Sequence, residues 1–493
     1  MNICDILAAH ASAMPDHPAI IDDERELSYA ELNDRVLRIA GHLRALGVES
    51  GGRVAVALKD HAEHVAVILA IARLGAAVIP LEWRALPAQQ KAAAMRFRAK
   101  MMIVEGPIRG SAPGDVIAID EEWHARVAAA APDRSYGDCW TTPFVIGLTS
   151  GTTGAAKGVP LTHGQMFARF LTQLHHGLVG ERSRYFSALP LCFSGGRVFL
   201  LYQLLSGNTV VFYSSRLFDA VGFASAARMH AATTTMLVPT QIRQLLAAAG
   251  DGGHMLPGLE TLLCAGAPTT AEENLAVVQR LNPNFHECYA SSGGGTMAIL
   301  GPHDMANPGS VGRVTFSTQL EIVDEEDRPL PAGAIGRIRC RGPGVALGFS
   351  DTVDDDGSEG FRDDWHYPGE FAALDERGLL YLKGRASDMI IRNGINIFPQ
   401  EIEDVLTAHP AVAEAAVVGR MSDLEGEVPV AFIVATGDVD TDASGRHCAK
   451  RLSHYMVPDR FILIDALPLS DAQKVHKTEL RALLAKAGTG RSK

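Results

Sequence analysis

The chain has 493 residues, 47% of them hydrophobic and 21% charged, with a formal net charge of −12. That length holds about three domains, or one large α/β body with a smaller unit, and the composition is that of a water-soluble protein with ample core. The acidic balance argues against a nucleic-acid or anionic-membrane surface, so a polyanionic ligand would have to be held by local cations and backbone amides.

No basic leader precedes the weakly apolar start "MNICDILAAHASAMPDHPAI", so no secretory signal is expected. Ser28 opens "SYAELNDRVLRIAGHLRALGV", with Glu31 at capping-box distance, apolar residues at helical spacing and Gly47 at the end. That pattern predicts a capped amphipathic helix. "RVAVAL" follows as a strand, residues 61–74 as a helix and "AAVIPL" as a strand. Arg73 and Gly75 interrupt the most apolar run, which suits a buried helix and strand better than a membrane span. "PFVIGL", "NTVVF", "TTTMLV" and "TLLCAG" are further strands, separated by helices such as 217–231. Strands alternating with helices imply a helix-covered, mostly parallel sheet.

From about residue 317 the pattern shortens to β texture: "TQLEIVD", "GRIRCRG", "GLLYLKG". The acidic segment "DTVDDDGSEGFRDDWHYPGE" reads as a solvated loop, because its spacing matches no calcium loop. After "KGRASD" comes a compact α+β lobe: helix "PQEIEDVLTAHP", strands "VAEAAVVG" and "VPVAFIV", a helix near 445–453, then "FILIDALP". The "GTGRSK" tail is expected to fray. The seven cysteines, at 4, 139, 192, 264, 288, 340 and 448, form no C-x-x-C pair. Reduced thiols in a cytoplasmic protein are expected, without a zinc site.

The densest chemical signal is "PFVIGLTSGTTGAAKGVPLTHGQM". A strand runs into the hydroxyls and glycines of Thr149–Gly154 and on to Lys157. Glycines let backbone N–H groups converge on phosphate oxygens, hydroxyls add donors, and a lysine neutralises charge. The spacing is not that of the G-x-x-x-x-G-K-[ST] loop of kinases and ATPases.

"TSGTTGAAKGV" resembles the phosphate loop of the adenylate-forming superfamily, which includes acyl-CoA synthetases and nonribosomal adenylation domains, with Ala156 at the family's usual proline. The resemblance runs through "LSYAELNDRV", "PLCFSGGRVFLLYQLLSGNTVVF", "CAGAP", "NPGSVGR", "GRIRCRGPGVALGF", "YLKGRASDMIIRNGINIFPQEIE" and "DALPLSDAQKVHKTELR". It implies a large N-terminal α/β domain, 1–384, of helix-covered mostly parallel sheets plus a β-rich subdomain. A hinge at 385–387 and a small mobile α+β domain at 388–493 would follow.

The implied reaction activates a carboxylic acid with ATP to an acyl-adenylate and pyrophosphate, then passes the acyl group to CoA and releases AMP. By motif position Thr149, Ser150, Gly151, Thr152, Thr153 and Lys157 would grip the β- and γ-phosphates, with Gly154 in the same loop. Gly266, Ala267 and Pro268 would lie against adenine and Tyr289 would stack on it. Glu370 stands where the family has an aspartate for the ribose, and Arg385 would contact ribose and phosphates. Lys474 would bind the carboxylate and α-phosphate oxygens in adenylation, with Lys477 the neighbour most easily confused with it. Ser387 sits at the hinge position. Gly394 and Asn396 lie in a Gly-x-Asn-Ile-x-Pro form that favours CoA as acceptor.

The acid pocket would be walled by Phe193, Ser194, Gly195, the turn Val238–Gln241 and Gly293, Gly294 and Gly295. These positions are apolar or small, which suits an aryl, alicyclic or medium-chain monoacid. Arg197 and Arg243 read as helix-surface residues, and Cys192 as a packing thiol.

"YASSGGG", 289–295, departs from the family's Tyr-Gly-x-Thr-Glu. Ser292 keeps the hydroxyl, but Gly293 stands at the magnesium-holding glutamate, so the metal ligands are open. Glu287 is not counted as a substitute. The glycines would widen the acid pocket, and Gly293→Glu would tighten magnesium dependence. Partners would be ATP, CoA, Mg2+ and a small acid, with neither nucleic acid nor a membrane span. A homodimer and a separate carrier-protein acceptor stay open, as does a catalytically weak, nucleotide-binding relative.

Overall fold

The computed structural model describes residues 1–23, 25–106, 115–135, 137–149, 157–213, 215, 217–250, 252–307, 309–350, 360–422, 424–437, 441–469 and 475–488. They group into two compact units. The first runs to 320 and takes in 340–350 and 360–368; the second holds 321–339 and the described residues from 369 onward.

Two large sheets build most of the first unit. One has the strand order Asp115–Ala118, Met101–Val104, Arg53–Ala57, Ala77–Pro80, Pro143–Thr149, Lys157–Thr162, parallel except for its last pair. The other runs Arg313–Val314, Gly295–Leu300, Phe285–Ser291, Thr261–Ala265, Thr234–Leu237, Arg184–Ser187, Thr209–Phe212, Pro18–Asp22, Arg25–Ser28. Its middle strands are parallel and its margins antiparallel. The parallel strands Thr209–Phe212 and Thr261–Ala265 are buried along their whole length. Continuous apolar runs are what a sheet covered on both faces requires.

Local signals hold where the chemistry is strong. Helix Tyr29–Ala45 starts on the Ser28–Glu31 capping box and ends before Gly47, which has φ +83°. The apolar run forms the buried helix Ala62–Arg73 and the strand Ala77–Pro80. Among the described residues no helix is long and apolar enough to cross a membrane. All seven cysteines are free thiols.

In the second unit, strand Gly426–Ala435 pairs antiparallel with Val412–Ser422 and parallel with Arg460–Leu463. Period-two alternation divides the two faces. Val417, Ala431 and Ile433 pack with Ile402 and Leu406 of helix Pro399–Thr407. Ala416, Val418, Val430 and Phe432 pack with Leu480 and Leu484 of helix Lys477–Gly488. The same unit carries the antiparallel pair Glu370–Leu374 and Leu380–Arg385. The helix expected near 445–453 is Thr441–Ala449.

The acidic segment read as a solvated loop is corrected in its second half. Gly360–Arg362 and Trp365–Tyr367 form a hairpin whose Trp365, His366 and Tyr367 are buried. Asp363 and Asp364 make its turn with φ +50° and +63°, the backbone a two-residue type I′ hairpin demands. The first half, 351–359, and the tail from 489 lie outside the described residues.

Candidate active site

Four neighbouring parallel strands of the larger sheet end along one edge, and the pairing register brings the sequence motifs there in order. Ser187 pairs with Met236, Leu237 with Cys264, and Ala265 with Cys288. The chain therefore leaves adjacent strand ends into the 189–195 segment, Val238, Gly266–Pro268 and Tyr289–Gly295. Ligands in open α/β sheets bind at this carboxyl end of the strands.

Gly266 has φ +108°, while a Cβ there would meet only Val238 Cγ1, at 3.6 Å. Backbone conformation, not space, therefore demands the glycine. Behind this turn Glu287 is buried, its Oε1 accepting from Thr269 N–H at 3.1 Å and its Oε2 from Asn274 Nδ2 at 3.0 Å. Burial pushes its carboxyl above the usual range against those hydrogen bonds. Glu287 is a brace for the Gly266–Thr269 turn, a role its sequence position did not signal.

The phosphate-loop candidates begin where Thr149 pairs with Lys157 across the ladder. Ser150, Gly151, Thr152, Thr153 and Gly154 lie outside the described residues, as does Lys474. Lys157 is 5% exposed, its ammonium 5.0 Å from the centre of the Phe349 ring, a cation–π position. A Cβ on Gly158 would stand 2.5 Å from both Phe97 and Ser350, so this glycine clears room for packing beside the lysine.

Among the residues expected to wall the acid pocket, Phe193 stands at the N-terminal boundary of helix Ser194–Leu205. A Cβ on Gly195 would lie 3.4 Å from Met236 Cε. Cys192 Sγ donates to Glu82 Oε2 at 3.3 Å, and Leu191 N–H donates to Asp60 Oδ1 at 2.7 Å. Burial raises the Asp60 carboxyl to about 6, with Glu82 adding and the Leu191 hydrogen bond opposing. Arg197 is not the surface residue expected. It is 1% exposed and donates to the carbonyls of Leu191 and Cys192. Arg243 is exposed and pairs with Glu273.

The turn after Tyr289 is held by side chains that sequence reading missed. Buried Arg169 donates to the carbonyls of Ser292 (3.1 Å), Gly293 (2.7 Å) and Gly344 (2.6 Å). Ser291 Oγ accepts from Gly294 N–H at 2.8 Å and lies 3.2 Å from His366 Nε2. The widening expected from the three glycines is not found. A Cβ on Gly293 would meet the His366 ring at 2.6 Å, one on Gly294 Met297 Sδ at 2.6 Å, and one on Gly295 Arg169 Nε at 2.9 Å. The room they leave is filled by the protein itself.

In the second unit Glu370 and Arg385 are opposite partners on adjacent strands. Ser387 lies in the short 3-10 turn Ala386–Asp388, where Arg481 donates to the Ser387 carbonyl and to Asp388. Gly394 and Asn396 are exposed at the hairpin of Ile390–Arg392 and Ile395–Ile397, whose turn residues Asn393 and Gly394 both have positive φ. Lys477 is committed elsewhere: its Nζ donates to Glu403 Oε1 at 2.7 Å.

Residues 7–350 match the AMP-binding enzyme family and 401–474 the AMP-binding enzyme C-terminal domain. The 2-succinylbenzoate–CoA ligase of Bacillus mycoides is 29% identical over 480 residues, 97% of this chain and 98% of the relative. That of Bacillus thuringiensis subsp. konkukian is 29% identical over 493 residues, with the same coverage. The o-succinylbenzoate CoA synthetase of Bacillus subtilis, in complex with its acyl-adenylate intermediate, superposes with a TM-score of 0.86 at 25% identity over 97% of both chains. The same enzyme with ATP and a magnesium ion gives 0.87, over 97% of this chain and 99% of that one. ATP-bound MatB of Rhodopseudomonas palustris gives 0.89 at 25% identity, over 99% of this chain and 100% of that one.

Proposed function

The chain belongs to the AMP-binding enzyme family and is an ATP-dependent, AMP-forming acid–CoA ligase, and we propose that its acid is an apolar aryl carboxylic acid. Phe193, Ser194, Gly195 and Val238 lie on one sheet edge beside the adenine-side turn, which is the observation that carries the reading. They offer apolar or small surface. The nearby buried arginines, Arg169 and Arg197, direct N–H groups at backbone carbonyls. Relatives named for 2-succinylbenzoate, which is a diacid, support the aryl part of this reading and not its apolar part. Alicyclic and medium-chain acids are the alternatives in the same pocket.

In the first half-reaction a carboxylate oxygen attacks the α-phosphorus of ATP, forming the acyl–phosphate bond as pyrophosphate leaves. In the second, the CoA thiol adds to the acyl carbon, AMP leaves and the thiol proton passes to solvent. Both steps gather anions, so catalysis is chiefly positioning and charge stabilisation. Lys157 and the 149–154 loop would hold the β- and γ-phosphates, the Ser292 hydroxyl the α-phosphate, and Lys474 the charge developing between carboxylate and α-phosphate. Tyr289 would stack on adenine against Gly266–Pro268. Glu370 and Arg385 would take the ribose. Rotation at 385–387 would exchange the adenylating and thioester-forming arrangements, with Gly394 and Asn396 serving the CoA step.

The 291–295 turn offers no carboxylate to a magnesium ion. A metal accompanying ATP would be held there by phosphate oxygens and water.

Pyrophosphate release over a panel of acids, with and without CoA, tests the reading. The panel pairs aryl acids with alicyclic and medium-chain ones and includes 2-succinylbenzoate. Release with aryl acids and CoA-thioester formation is expected. No release with any acid overturns the ligase assignment, and release without thioester in the presence of CoA transfers the acceptor role to a carrier protein.

A further inference from the structure

His366 is 2% exposed and stacks on Phe361, with ring centres 4.5 Å apart. Its Nδ1 lies 3.2 Å from the Gly360 carbonyl oxygen. A carbonyl only accepts, so Nδ1 carries the hydrogen and Nε2 presents a lone pair. That lone pair takes the Ser291 hydroxyl hydrogen at 3.2 Å, while Ser291 Oγ accepts from Gly294 N–H at 2.8 Å. Both ring nitrogens are thus engaged, and one ring face is packed. The imidazole is not a loose end that could swing aside.

This fixed ring occupies the volume beside Gly293. A Cβ there would come within 2.6 Å of Nε2, 2.7 Å of Cε1 and 3.1 Å of Cδ2, and real Cβ atoms do not tolerate such contacts. From the other side Arg169 and Ala346 N–H both donate to the Gly293 carbonyl, and Arg169 also donates to that of Ser292. The backbone of 291–294 is therefore tied down at successive residues.

We propose that His366 is the positioning residue of the turn that presents Ser292 to the nucleotide, and that Gly293 and His366 act as a coupled pair. The volume where a side chain at 293 would stand is given to an imidazole that orders the turn, so magnesium loses a protein carboxylate and the turn gains rigidity. This rests on the ligase reading for the role of Ser292, but the coupling of the two positions is a packing statement that stands apart from it.

The test is a double-mutant cycle of Gly293→Glu, His366→Ala and the two combined, with His366→Gln as the conservative variant. Melting temperature and calorimetric binding of ATP with magnesium titrated are the readouts, and neither needs the acid substrate. Gly293→Glu alone is expected to lower the melting temperature and weaken ATP binding at least tenfold. His366→Ala is expected to weaken ATP binding several-fold, and His366→Gln, which can still accept from Ser291, to recover most of it. The double variant is expected to regain much of what Gly293→Glu loses and to reach half-saturation at lower magnesium than the wild type. Additive effects in the cycle, or Gly293→Glu that folds normally and tightens magnesium by itself, overturn the pairing. ATP binding unchanged in His366→Ala overturns the positioning role. Failure of the wild type to release pyrophosphate with any acid strikes the ligase reading and leaves the melting-temperature cycle to decide the pair.

Discussion

Arg385 and Glu370 face each other across adjacent antiparallel strands, joined by a hydrogen bond of 3.1 Å from Nε to Oε1. Each was assigned to the ribose from its own motif, and the ladder register makes them neighbours. Arg385 is 41% exposed in its side chain and Glu370 16%. Solvent screening therefore keeps the pair's direct contribution to stability below about 1 kcal/mol. Its proposed value lies in aiming both groups at the ribose. Glu370→Ala removes two acceptor oxygens and the hydrogen-bond partner of Arg385 Nε. The expected result is a melting temperature nearly unchanged and a KM for ATP raised roughly 10- to 100-fold, the cost of about 1.5–3 kcal/mol in charge-assisted hydrogen bonds. A large melting shift with unaltered KM would make the pair structural.

Two lysines three positions apart should separate by kind of failure. Lys477 and Glu403 are largely buried, at 17% and 11% side-chain exposure, and Glu403 Oε1 also accepts from Val417 N–H. Lys477→Ala strands that carboxylate, and breaking such a pair costs about 3–5 kcal/mol. Thermal unfolding should show the loss, with activity per folded molecule preserved. Lys474→Ala should do the reverse, cutting the adenylation rate roughly 100-fold or more while melting temperature and ATP affinity stay close to wild type. Equal adenylation in Lys474→Ala would remove its catalytic assignment.

The sequence was most legible where one residue type answers a local backbone demand. The Ser28–Glu31 capping box and Gly47 at φ +83° are of that kind. It failed where only tertiary neighbours give a residue its meaning. His366 sits in a segment so rich in aspartate that it reads as solvated, although Phe361, Trp365 and Tyr367 alternate around the Asp363–Asp364 turn and mark the hairpin. Arg197 looked like a surface cation, yet in Phe199–Leu205 only Gln203 and the Tyr202 hydroxyl are polar, and a helix so nearly apolar all round is buried. Arg169 gives no such warning, because its partners are carbonyls from distant parts of the chain.

Asp60 offers a pH signature. Its carboxyl is raised to about 6, first by burial and then by Glu82, with the Leu191 hydrogen bond, Arg84 and His61 pulling the other way. An acid with a folded pKa above its unfolded value holds its proton more tightly in the fold. Its stabilisation is complete below the unfolded pKa, near 3.8, and is lost as pH rises through 6. Asp60→Asn keeps an oxygen for Leu191 N–H and removes the charge. It should stabilise the protein above pH 6 by up to about 3 kcal/mol, from 1.36 kcal/mol per unit, with the gain shrinking to nothing toward pH 4. Denaturant melts at pH 4, 6 and 8 would check this; a gain independent of pH would sink it.

Gly266 and Gly195 should respond oppositely to the same added methyl group. At Gly266 the obstacle is conformational, since φ is +108° and the nearest atom to a new Cβ is 3.6 Å away. Gly266→Ala must hold a backbone region that L-residues rarely enter, at a cost of about 1–3 kcal/mol. The 266–268 turn, proposed to lie against adenine, should shift to relieve it, raising the KM for ATP and leaving the ranking of acids intact. Gly195 has no such φ, and a Cβ there meets only the flexible end of Met236, at 3.4 Å. Gly195→Ala should change stability by less than about 1 kcal/mol and leave ATP kinetics alone, while kcat/KM shifts from bulky toward slimmer acids. Measuring ATP kinetics and the acid profile for both variants separates the nucleotide side of the sheet edge from the acyl side. An acid profile unmoved by Gly195→Ala would take that glycine out of the pocket wall.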